Sequence, residues 1–108
     1  MPKAPTTASR DRARKTVPKL IDVTEKVLFG DIWERPELSK RDRSLITCAV
    51  LVATYRPEQL KGHLQRARFN GLSQEELSEL ITHVAFYGGW PCAMSAASIA
   101  REVFDAEE

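Results

Sequence analysis

The chain is poor in the residues that carry redox, metal and nucleic-acid chemistry: of its 108 residues only two are cysteine and two histidine, and aromatic side chains make up 7%. Cys48 and Cys92 lie far apart, without the close pairing of a zinc knuckle or a dithiol motif, so they read as small buried hydrophobes and no metal site is expected. A disulfide between them has no compositional support in a chain so sparing of cysteine. Charge of one sign is lacking as well. Sixteen basic side chains against fifteen acidic ones leave a net charge of +1, which offers no general attraction to nucleic acid or to an acidic membrane surface. No apolar run approaches the roughly 18–20 residues needed to cross a bilayer, and residues 1–16 are polar and basic where a signal peptide has an apolar stretch. The expectation is a soluble, cytoplasmic protein with neither a nucleic-acid nor a membrane partner.

The length suits one core. Residues 1–16, with Pro2, Pro5 and a Thr/Ser/Arg-rich composition, are expected as a flexible basic tail, and residues 17–108 as one domain. The ends differ in sign: Lys3, Arg10, Arg12, Arg14, Lys15 and Lys19 face only Asp11, while Arg101 is outnumbered by Glu102, Asp105, Glu107 and Glu108. No segment alternates with a period of two, so the fold class is all-α, with about five to six helices.

The helix ends are punctuated. Pro18 opens a helix whose apolar positions Leu20, Val23, Val27 and Leu28 run to Gly30. In the connector that follows, Trp33 is expected as a core anchor. Ser39 with Asp42 opens a helix to about Thr54, its apolar residues spread so widely that it should be central. Pro57 starts the next helix, and Asn70-Gly71 gives it a left-handed exit. Ser73 with Glu76 forms a capping box, the helix it opens breaks at Gly88-Gly89, and Pro91 begins the last, residues 91–104. Ala93, Ala96, Ala97 and Ala100 form a stripe on it that admits a close neighbour. A core this thin points to self-association.

Few side chains can carry chemistry. His63 lies near the apolar side of its helix, the usual place of a packed histidine. His83 follows Glu79 by one turn, and a carboxylate there orients an imidazole for proton transfer or forms a plain surface pair. Tyr87 and Trp90 flank two glycines, and the helix that begins beside them presents N–H groups to an anion or merely closes a tight turn. Arg41, Arg43 and Arg56 sit near the ends of the 40–54 helix and could hold a carboxylate. Cys92, near a helix N-terminus, is a better thiolate than Cys48 in an apolar face.

Two segments, LSKRDRSLIT and GHLQRARFNGLSQEELSELITHVAFYGGWPCAMSA, make residues 20–104 similar to the carboxymuconolactone decarboxylase family. The resemblance implies the all-α alkyl hydroperoxidase D-like fold, assembled as a homo-oligomer such as a trimer or hexamer with sites between subunits. The thiol peroxidases of this group carry Cys-x-x-Cys-x-x-x-His, with the histidine eight residues before the glycine that ends the helix. His63 and Gly71 match that spacing, but the two cysteines would fall at Arg56 and Gln59, and the proton-relay glutamate near Ser44. Without the dithiol, a peroxidase using Cys48 and Cys92 becomes the alternative, and a non-catalytic oligomeric module stands behind it. The resemblance favours the lyase branch, which decarboxylates a small carboxylated lactone without metal or organic cofactor. It implies His63 first and His83 second for proton transfer, with Glu79 orienting His83, Arg41 or Arg43 on the substrate carboxylate, and Tyr87 and Trp90 shaping the pocket.

Overall fold

The computed structural model describes residues 2–108, and every regular element among them is helical. In order these are α1 (Ala8–Ala13), α2 (Pro18–Val23), α3 (Lys40–Ala53), α4 (Pro57–Phe69), α5 (Gln74–Gly88) and α6 (Trp90–Asp105); a π turn (Thr24–Leu28) prolongs α2, and a 3-10 turn covers Ile32–Glu34. Two compact units divide the described residues: Thr6–Lys40, and Arg41–Glu108 with residues 2–5.

In the smaller unit, residues 8–13, expected within a flexible tail, form helix α1. Arg14 reaches Glu25 at 2.7 Å, and the Arg10 guanidinium lies 4.6 Å from the centre of the Phe29 ring. Phe29 in turn stacks on Trp33, their ring centres 5.7 Å apart. Trp33 is buried, whereas Leu20, Val23, Val27 and Leu28, the expected inward face, are all exposed and Ile21 is buried in their place. The π turn bears on Val27 and Leu28, while Leu20 and Val23 precede it. The Phe29 N–H bonds to the Thr24 carbonyl five residues back, and this wide turn breaks the 3.6-residue period on which the expectation rested.

The larger unit holds the core, in which Leu60 and Leu64 of α4, Leu77 of α5 and Ala96, Ala100 and Val103 of α6 pack with Cys48 and Val52 of α3. Its helix ends follow local chemistry. At the end of α4 the Leu72 N–H reaches the Ala67 carbonyl (3.0 Å) and the Gly71 N–H reaches that of Arg68 (3.2 Å), with Gly71 at φ +104°. This is the paired closure of a Schellman motif, and the left-handed step suits glycine. The same pattern ends α3, where Arg56 bonds back to Leu51 and Tyr55 to Val52. There the left-handed residue is Tyr55, at φ +55°, a conformation that costs a β-carbon about 1–2 kcal/mol. Along the Ala stripe of α6, Ala93, Ala96 and Ala100 are buried and Ala97 is exposed. Helix α3 is less enclosed than its composition suggests: Ser44, Cys48 and Val52 are buried, while Ile46 and Val50 stay exposed.

A charged clasp secures the end of α6. Arg68 binds Glu107 through two nitrogens, at 2.9 Å (Nε to Oε2) and 2.7 Å (Nη2 to Oε1), and its Nη1 donates to the Leu72 carbonyl at 2.9 Å. Both side chains are largely enclosed. Hydrogen bonds from Arg68 hold the Glu107 carboxyl below its ordinary value of 4.5. A carboxyl depressed on folding adds stability above its unfolded pKa and loses it as acid protonates the folded group. Glu107→Gln should therefore lower stability at neutral pH by about 1 kcal/mol and flatten the fall in thermal midpoint below pH ~4.5. Melting curves of both proteins from pH 7 to 3 check this; parallel acid limbs would remove the clasp from the account.

Candidate functional site

Helices α3 and α5 border an open groove of about 480 Å³. The capping box fixes the start of α5: Ser73 Oγ accepts the Glu76 N–H at 3.0 Å, and Glu76 Oε1 accepts the Ser73 N–H at 2.9 Å. From that start, Glu76, Glu79, Leu80, His83 and Val84 fall on the groove side of α5, three to four residues apart as one helical face demands. Helix α3 contributes Arg41, Leu45 and Ala49 at the same spacing. The result is an apolar floor of Leu45, Ala49, Leu80 and Val84 ringed by one guanidinium, two carboxylates and one imidazole.

Arg41 is held across the groove. Its Nη2 donates to Glu76 Oε2, and its Nη1 makes a looser 3.4 Å contact with Asp42. His83 and Glu79 are both exposed, and among the described residues no hydrogen bond joins them. The imidazole instead lies against Tyr87, ring centres 5.0 Å apart.

Of the residues singled out in the sequence, Arg41, Glu79 and His83 share this groove. His63, Arg43, Tyr87 and Trp90 are not among its lining. His63 is half-buried on α4, and burial, helped by the nearby Arg66 charge, pulls its imidazole below the ordinary 6.5. That favours the neutral ring. Trp90 is exposed and meets Phe86 edge-on at 5.4 Å, while Tyr87 projects outward with 83% of its surface accessible. Glu76 was missed, because a glutamate three residues after a serine is already explained by helix capping. The signal available was its place one turn before Glu79 and two before His83.

Neither thiol is disulfide-bonded. Cys48 is wholly enclosed, and burial pushes it up to about 12, so almost no thiolate exists near neutrality. Cys92 lies half-buried at the head of α6, its Sγ 4.0 Å from the Ala53 carbonyl. Ser44, where the relay glutamate of the thiol enzymes would fall, is buried and accepts a 3.0 Å hydrogen bond from Asn70 Nδ2. It joins α3 to the end of α4. No group of three His, Cys, Asp or Glu among the described residues is placed to hold a metal, and no helix among them is long and apolar enough to cross a membrane.

Comparison with known proteins agrees with this helical frame. The chain is 43% identical over 76 residues to 4-carboxymuconolactone decarboxylase of Acinetobacter baylyi, covering 70% of this chain and 57% of that protein. It is 29% identical over 77 residues to nitrosuccinic acid decarboxylase npaB of Metarhizium robertsii, covering 71% and 54%. An uncharacterized 15.0 kDa protein in the nqo9-nqo10 intergenic region of Paracoccus denitrificans is 26% identical over 96 residues. The chain thus spans a little over half the length of the two decarboxylases it matches. The model of the carboxymuconolactone decarboxylase family matches residues 18–102, nearly the whole helical part, and the chain belongs to that family.

Proposed function

We propose that the protein is a decarboxylase of a small carboxylated lactone or related organic acid, working in the groove between α3 and α5. The observation that carries this reading is the meeting of Arg41, Glu79 and His83 over an apolar floor. Its two named decarboxylase relatives act, by their names, on small carboxylated molecules.

Loss of carbon dioxide breaks a C–C bond and leaves its electron pair on carbon, to be spread into a neighbouring carbonyl and then captured by a proton. Arg41 supplies a planar, permanently charged partner for a carboxylate that stays on the substrate or for the lactone carbonyl. The departing carboxylate lies on Leu45, Ala49, Leu80 and Val84. Those apolar side chains offer the anion no hydrogen bond, and the charge it sheds on becoming carbon dioxide makes the transition state less costly to hold on that floor than the ground state. His83, at the edge of the groove, delivers the proton to the new carbanionic carbon. Solvent contact at the exposed ring reloads it.

Homo-oligomer formation is part of the same proposal. Ile46 and Val50 on α3, and Phe86, Trp90 and Met94 across the α5–α6 joint, are exposed apolar side chains, which a second copy could cover. The thiol-peroxidase alternative is weakened by the depth of Cys48 and by Arg56 and Gln59 standing where the family's dithiol would be.

The test is direct. Purified protein incubated with 4-carboxymuconolactone should release one carbon dioxide per substrate consumed. Arg41→Ala should raise KM about 10- to 100-fold, the loss expected of a charge-assisted carboxylate contact. If kinetic constants are unchanged in Arg41→Ala, the groove is not the site.

A further inference from the structure

The position of Arg41 at the groove is not set by its own helix alone. Its long side chain is only half-buried, so the backbone leaves the guanidinium many accessible rotamers. The residue that limits them is Glu76, 35 positions later in the chain. The two oxygens of that carboxylate have different work. Oε1 accepts the Ser73 N–H at 2.9 Å, completing the N-cap of α5, and Oε2 accepts from Arg41 Nη2. Because the Glu76 N–H is itself held by Ser73 Oγ at 3.0 Å, the carboxylate is tied to the first turn of α5 from both sides. Its negative charge is also stabilised there by the positive end of the helix.

We infer that Glu76 is a positioning residue: it carries the fixed geometry of the α5 capping box across to α3 and holds the Arg41 guanidinium at the groove for a substrate carboxylate. This rests on the proposed role of Arg41. Nη2 is spent on Glu76 and Nη1 makes its looser contact with Asp42, which leaves the fork's other N–H groups to donate to the substrate. An already oriented fork loses less freedom when substrate arrives than a loose one would. The arrangement also trims the positive charge at the groove, so recognition depends on where the guanidinium stands more than on attraction from a distance.

Glu76→Gln separates the two tasks, since glutamine serves as well as glutamate at the third position of a capping box but lacks the charge that grips Arg41. With 4-carboxymuconolactone as substrate, this variant should raise KM roughly ten-fold with kcat within about two-fold of the unmodified protein. The thermal midpoint should stay close to its original value. In the NMR spectrum the Arg41 Nη–Hη signals, which the contact with Glu76 should keep sharp in the unmodified protein, should broaden or vanish. Placed on Arg41→Ala, the same substitution should add nothing to KM, the signature of two residues acting through one contact. A KM that stays level or falls in Glu76→Gln while Arg41→Ala raises it would overturn the positioning role and leave the groove reading standing. An unaltered KM in Arg41→Ala would instead overturn the groove reading. If 4-carboxymuconolactone is not consumed, that proposed substrate fails, and a sharp Arg41 signal retained in Glu76→Gln overturns the positioning role by itself.

Discussion

Replacing His83 by alanine is expected to lower kcat for decarboxylation by about 10²- to 10⁴-fold, the range that a positioned proton donor contributes. KM should change little, because Arg41 and the apolar floor remain. His83 is exposed on α5, so its truncation opens no core cavity and the helical fold should survive intact. His63→Ala is the necessary companion. That ring is half-buried and held toward its neutral form by burial and by Arg66, so its loss should show in thermal stability more than in turnover. Should the two variants behave the other way round, with His83→Ala fully active and His63→Ala inert, proton transfer belongs on α4 and the groove assignment fails.

The second large effect concerns the wall of the groove. At the end of α5 a β-carbon built on Gly88 would come within 2.9 Å of the Ala53 β-carbon and 3.0 Å of its α-carbon. Those atoms are rooted in the backbone of α3 and cannot swing aside. Gly88→Ala should therefore cost about 1–3 kcal/mol through overpacking, more than the roughly 0.5–1 kcal/mol that alanine gains over glycine within a helix. The thermal midpoint should fall by several degrees. Because α3 and α5 also border the groove, forcing them apart at this point should widen it and reduce kcat/KM as well. Ala53→Gly in the same protein should recover part of the stability. A Gly88→Ala protein as stable and as active as the original would show that the two helices are not pinned there.

The helical frame was legible wherever the deciding contacts are local. Pro57, Asn70-Gly71, the Ser73–Glu76 pair and Gly88-Gly89 act within a few residues of chain, and the helices begin and end beside them. The outward positions of Val27 and Leu28 were not legible, since a wide turn at 24–28 has no composition of its own. At the groove the limit is different in kind. His63 and His83 look alike in sequence, each on an amphipathic helix near charged neighbours. Only the placing of α3 beside α5 puts His83 and Arg41 along one groove. Glu76 stayed hidden because one of its oxygens does something the sequence already accounts for, while the other reaches a helix 35 residues away.

The unequal settings of the two thiols make the folded protein addressable at a single atom. With Cys48 sealed in the core and Cys92 half-accessible at the head of α6, a maleimide dye under native conditions should attach at Cys92 alone. The fluorophore would then sit beside the pair Gly88-Gly89, reporting on the joint between the last two helices without any engineered residue.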